Sequence, residues 1–226
     1  MEARPKLEAL QVRRLGPVFI THTHRDHTAG LAALLAYHTM NGSLLSLSPA
    51  ASPSPLTVYG PDGGGEGDFP SIVDMMDHIR AAFVLGPRDK VPVNTIKIMP
   101  GLVYEDSILK VKAFKVDHIP NSFGFRVETM DRVIVISGDT VPSDAVVDAC
   151  NGCDLLFHEV YGLSKSEEPT ASYHTNAAAL GEIARRARPK RLVIYHDVRA
   201  PHEAALEVIK KSFSGEVTFS RDLDTF

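Results

Sequence analysis

Residues Thr21-His22-Thr23-His24-Arg25-Asp26-His27-Thr28 place three imidazoles and a carboxylate within six positions, directly after the apolar run Pro17-Val18-Phe19-Ile20. Imidazole nitrogen and carboxylate oxygen are the ligand types that hold zinc and its neighbours in the first transition row. The spacing is too tight for one face of a regular helix. It suits a turn leaving a strand, where successive side chains can address two neighbouring metal sites. A single histidine is more often a packing or surface residue, but four ligand-type residues in one short run point to a metal centre.

A metal centre needs a rigid frame, and the chain supplies one repeatedly. Phe114–Val116 runs into Asp117-His118, Val133–Ile136 into Ser137-Gly138-Asp139, Leu155–Phe157 into His158-Glu159, and Leu192–Tyr195 into His196. With the first run, five apolar segments each end in a metal-type or acid-base residue. Strands that deliver such residues at their C-terminal ends let a sheet converge side chains on one place. His38, His78 and His202 fall in helical segments and are expected on the surface.

The remaining pattern is mixed. Helices are expected over 6–14, 29–40, 70–84 and the Ala177-Leu180-Ile183-Ala184-Ala187 stripe that stops before Pro189. Strands are expected over 17–21, 56–59, 108–116, 123–128, 133–137, 154–158 and 191–196. Ser46–Pro55 and Pro61–Gly67 read as loops. Strands and helices interleave without a repeat or a boundary, so a single layered α/β domain over residues 1–226 is expected.

Composition limits the partners. The 226 residues carry a net charge of −4, which gives no general attraction to nucleic acid. Arg185, Arg186, Arg188, Lys190 and Arg191 are the one basic cluster, and a helix C-terminus accounts for them. No apolar run reaches about 18 residues, so no membrane-spanning segment is expected. Cys150 and Cys153 cannot form a four-ligand zinc ribbon. They read as reduced, partly buried thiols, and the chain as a protein of the cytoplasm.

These residues, taken together, resemble the metallo-β-lactamase-fold hydrolases, from about residue 16 to the end. The matching positions are Thr21-His22-Thr23-His24-Arg25-Asp26-His27, then His118, Asp139 in Gly-Asp-Thr, and His196, in the family's order. The likeness is strongest to the ribonuclease Z and arylsulfatase-like branch. His158-Glu159-Val160-Tyr161 looks like its H-E-A-T segment, and Tyr173-His174-Thr175 like its H-S-T segment.

The resemblance implies a four-layer αββα sandwich and two zinc ions, with manganese or iron as substitutes. His22, His24 and His118 would hold one ion, Asp26, His27 and His196 the second, and Asp139 would bridge them. Asp26 would also orient the attacking water. His174, oriented by Glu159, would protonate the leaving group, with His158 as a further catalytic candidate. Diiron redox relatives usually carry Glu where His24 stands, and β-lactamases of this fold lack the bridging Asp. The implied activity is therefore hydrolysis of a phosphodiester, small or nucleic-acid, by a homodimer. An arylsulfatase-like, carboxylic-ester or lactone hydrolase is the rival enzyme, and a zinc-binding remnant without turnover the rival of another class. Two departures stand out. Only a hairpin separates His118 from Asp139, where the branch carries its tRNA-gripping arm. Few residues precede the histidine motif, so the fold's first strands are expected to be missing, leaving a sheet edge exposed.

Overall fold

The computed structural model describes residues 15–44, 55–64, 68–83, 93–164 and 169–226. They fall into two compact units, Met1–Ile98 with Thr225–Phe226, and Met99–Asp224. The expected helix over 6–14 and nearly all of the Ser46–Pro55 loop lie outside the described residues. The class is mixed α/β, with two sheets and helices packed on them.

The first unit holds a parallel three-stranded sheet of β1 (Val18–Phe19), β2 (Leu56–Gly60) and β3 (Val93–Lys97), in that order. The one-turn helix α1 (Arg25–Thr28) and helices α2 (Leu31–Leu44) and α3 (Ile72–Phe83) accompany it. Leu56 and Val58 alternate with half-buried neighbours along β2 and join Ile20, Leu31, Ile72 and Met76 in the core. Ser71 starts α3 as a capping box. Its hydroxyl accepts from the Asp74 amide at 3.1 Å and donates to the Asp74 carboxylate at 2.7 Å, and its amide donates to the same oxygen at 3.3 Å. Those bonds hold the Asp74 carboxyl below its ordinary range. His38 corrects the sequence reading, because it is buried. It lies seven residues after Leu31, on the stripe that Leu34 and Leu35 continue, so helical periodicity turns it inward.

The second unit is built on a seven-stranded sheet. β4 (Gly101–Glu105), β5 (Leu109–Lys115), β6 (Phe123–Thr129) and β7 (Val133–Ile136) form an antiparallel meander. β7 then pairs in parallel with β8 (Leu155–Tyr161), β8 with β9 (Arg191–Val198), and β9 with β10 (Glu216–Phe219). Parallel pairing needs crossovers, and α4 (Asp144–Cys150), α5 (Ala177–Ala187) and α6 (His202–Lys210) supply them. Val116, Val135, Leu156, Leu180, Leu192, Ile194 and Ile209 form the common core.

Helix α5 has the bounds its apolar stripe predicts. The Asn176 carboxamide oxygen accepts from the Ala179 amide at 2.9 Å, and Arg188 closes the helix in the left-handed conformation before Pro189. Four of the five cations of the basic cluster are ion-paired, Arg185 with Glu182, Arg186 with Asp144, Lys190 with Asp154 and Arg191 with Glu216, and Arg188 donates to the Asn151 carboxamide oxygen. The cysteine reading needs correction. Cys150 and Cys153 are buried but joined as a disulfide, with none left free. Asn151 and Gly152 both take positive φ at the end of α4, and this turn brings the two Cα atoms to 4.8 Å.

At Gly181, α5 lies close against the backbone of α6. A Cβ there would lie 2.8 Å from the Ile209 carbonyl oxygen and 3.2 Å from the Ile209 Cα. Alanine would gain about 1 kcal/mol of helix propensity. Forcing two backbones apart costs about 1–3 kcal/mol, with no flexible side chain to absorb it. Gly181→Ala is expected to lower the unfolding midpoint, and a raised midpoint would show that the helices have room to separate.

Candidate metal centre

Each unit carries its own set of ligand-type residues. In the first, the chain leaves β1 extended through His22 and His24, and the His24 carbonyl accepts from the His27 amide at 3.1 Å and the Thr28 hydroxyl at 2.9 Å. These bonds begin α1, so Asp26 and His27 project from a first helical turn while His22 and His24 project from the extended segment before it. The His22 and His27 ring centroids are 4.0 Å apart and those of His22 and His24 4.9 Å. His27 Nε2 stands 3.5 Å from the Asp26 carboxylate. Nδ1 of the buried His22 is 3.1 Å from the Thr21 hydroxyl, which turns Nε2 toward the other ligands.

In the second unit the focus is Asp139, a buried carboxylate on the turn after β7. Gly138 makes that turn with φ +65°. His118 Nε2 lies 3.9 Å from Asp139 Oδ2, His174 Nδ1 3.9 Å from the same oxygen, and His196 Nδ1 3.8 Å from Oδ1. These separations exceed a hydrogen bond. For His118 and His196 they suit atoms sharing an ion, since zinc bonds to nitrogen and oxygen are about 2.0–2.2 Å, while the same Nδ1 of His174 is held by Glu159. His118, Asp139 and His174 offer ligand atoms within 4.8 Å of one another. His118 Nδ1 donates to the Tyr173 carbonyl at 3.0 Å, which leaves Nε2 as its ligand atom. The donor set of nitrogen and carboxylate oxygen, with a different imidazole facing each oxygen of Asp139, fits a divalent metal.

Glu159 ties this focus together. Its carboxylate meets His174 Nδ1 at 2.9 Å through both oxygens and accepts from the Thr140 amide at 2.8 Å. The Thr175 hydroxyl donates to the Thr140 carbonyl at 2.7 Å, so the segments bearing Asp139 and His174 are locked to each other. Burial, and then the charge of Asp139, push the Glu159 carboxyl well above the ordinary carboxylate range.

The strand-end rule holds for His22, His24, His118 and Asp139 and needs correction for His158, Glu159 and His196. β8 continues through His158 and Glu159 to Tyr161, and β9 continues past His196 to Val198. A bulge separates them: His158 pairs with Ile194 and Glu159 with His196, leaving Tyr195 unmatched. The bulge sets Glu159 beside His196. Tyr195 was missed as a contributor. Its hydroxyl bonds to Ser137 and to the Gly138 backbone, anchoring the turn that bears Asp139.

His158 is fully buried, and its Nδ1 donates to the Glu159 carbonyl at 2.8 Å. Burial lowers its pKa from 6.5 to about 4. Below pH 6.5 the unfolded chain takes up this proton and the folded chain does not. Stability is therefore lost as pH falls from 6.5 to 4, by about 3 kcal/mol for this residue. Glu159 acts in the opposite sense, because the folded chain binds its proton first. His158→Gln should flatten the fall of the unfolding midpoint across this window. An unchanged slope would show that His158 does not carry it.

Residues 1–196 match the model of the beta-lactamase superfamily domain. Ribonuclease Z of Geobacillus kaustophilus is 26% identical over 258 residues, covering 91% of this chain and 78% of the relative. Ribonuclease BN of Escherichia coli is 23% identical over 81% of this chain and 70% of its own length. Among solved structures, the short form of human tRNase Z superposes with a TM-score of 0.70 at 24% identity, over 98% of this chain and 83% of that one. The metallo-β-lactamase fold protein YhfI of Bacillus subtilis does so at 0.66 and 21%, over 92% and 76%. With its imidazole and carboxylate ligand sets, the chain belongs to the beta-lactamase superfamily, as a metallo-β-lactamase-fold hydrolase similar to ribonuclease Z.

Proposed function

We propose that this protein, as a single catalytic domain, hydrolyses phosphodiesters with two zinc ions. His22, His24 and His118 would hold one ion, Asp26, His27 and His196 the other, and Asp139 would bridge. When bound, two such ions would supply a water acidified to a pKa of about 7 and positive charge against the reacting phosphoryl oxygens. Asp26 orients the water. His174 hands a proton to the departing alkoxide, and Glu159 holds the imidazole in place for it. His158, with no exposed surface, is a supporting residue in this reading.

The observation that carries the proposal is Asp139, buried with imidazoles 3.8–3.9 Å from each of its carboxylate oxygens. Likeness to proteins named ribonuclease Z and ribonuclease BN supports a phosphodiester, and RNA among phosphodiesters. The hairpin of β6 and β7 occupies the whole interval between His118 and Asp139, so short RNA or small diesters fit better than the body of a tRNA. The proposal retains the homodimer implied by the sequence, and the cytoplasmic setting without the reduced thiols that argued for it, since Cys150 and Cys153 are joined. A second reading, an aryl sulfate or ester hydrolase, draws on a cavity of about 370 Å³ beside His174, lined by Tyr161, Val141, Pro142 and Ala171. Zinc-loaded protein is expected to hydrolyse bis(p-nitrophenyl) phosphate. Turnover of p-nitrophenyl sulfate or acetate instead would favour the second reading.

A further inference from the structure

A cavity of about 540 Å³ opens beside His118, lined by Lys115, Asp117, His118, Asn121, Val141 and Tyr173 among others. Lys115 is its one cation. The residue closes β5 opposite Phe123 of β6. Its ammonium sits 5.0 Å from the Phe123 ring centroid and donates to the Asn121 carboxamide oxygen at 2.9 Å. Asn121 holds φ +61° in the tight turn between the strands. Among the described residues no carboxylate lies in ion-pair range of Lys115, although Asp117 lines the same cavity. Elsewhere on this meander the lysines are paired, Lys110 with Glu105 and Lys112 with Glu128.

A lysine that is fixed by a ring face and an amide, and not by an acid, keeps its charge available to an incoming anion. The cavity wall it shares with His118 places that anion next to a proposed metal ligand. We propose that Lys115 and Asn121 form a subsite for a second phosphate of the substrate, one beyond the phosphate that reacts. This rests on the phosphodiester reading and narrows it to nucleotides and oligonucleotides. A simple diaryl diester has no group to put there.

The test is calorimetric binding to zinc-loaded protein, with uridine 3′,5′-bisphosphate and uridine 3′-monophosphate as probes and no turnover required. Lys115→Ala is expected to weaken the bisphosphate about tenfold and to leave the monophosphate within about twofold. Lys115→Arg is expected to restore the bisphosphate to within about threefold. Equal weakening of both probes would mean that Lys115 merely braces the hairpin, and no change in either would mean that the cavity does not take phosphate. Wild-type protein that failed to prefer the bisphosphate would overturn the proposal as well. Absence of bis(p-nitrophenyl) phosphate turnover, with the bisphosphate preference intact, would count against the catalytic reading and leave the subsite standing.

Discussion

Asp139→Ala is expected to abolish metal-dependent phosphodiester hydrolysis, by on the order of 10³-fold or more, and to reduce bound zinc. The expectation follows from what the carboxylate faces. His118, His174 and His196 all approach the buried carboxylate at 3.8–3.9 Å, from both oxygens. Removing it leaves the imidazoles without the shared anion that would hold two cations close together. Zinc measured by plasma emission should fall together with turnover, while the far-ultraviolet circular dichroism stays that of the wild type. Full zinc content with full activity would remove Asp139 from the centre. Full zinc content without activity would make it a residue that handles the water, with the ions held by the histidines alone.

His174→Ala should separate binding from chemistry. The ring is half-buried, is fixed through Nδ1 by Glu159 at 2.9 Å, and stacks on Tyr161 at 5.1 Å between centroids. An imidazole fixed on one nitrogen presents the other to a reacting group, the arrangement expected of a proton donor. Losing such help costs about 10²–10⁴-fold in turnover. The loss should be largest for esters with poor leaving groups and small for p-nitrophenolate, which departs without a proton. Zinc content should be unchanged. A variant that loses zinc, or that loses the same factor on good and poor leaving groups, would make His174 a ligand instead of an acid.

The legibility of this chain in its sequence followed the range of the forces involved. Helix α5 was readable to the residue because its stripe, its Asn176 cap and its stop before Pro189 are local. The metal-type residues were readable because residue chemistry needs no partner to be recognised. What depended on distant partners was not. By sequence β8 and β9 end at His158 and His196, where their apolar runs meet ligand-type residues. Pairing between the two strands carries both onward and buries Glu159. The short α4, with seven residues, and β10, with four and a single pairing partner, carry too little pattern to stand out. His38 was assigned by type to the surface, while its place seven residues after Leu31 decided otherwise.

The unmatched Tyr195 has a consequence for how this sheet could change over time. Side chains along a strand alternate like the two colours of a chessboard row, and one extra square swaps the colours beyond it. Up to Ile194, β9 serves the core; after the extra residue, the same strand sets His196 beside Glu159. The bulge absorbs the extra square, so His196 keeps its place opposite Glu159. A lineage that dropped Tyr195 would keep its ladder and its packed interior yet lose the hydroxyl that anchors the turn bearing Asp139. Loss of chemistry would then require no loss of fold, and the length of this segment is a sharper mark of a working relative than the identity of its hydrophobic residues.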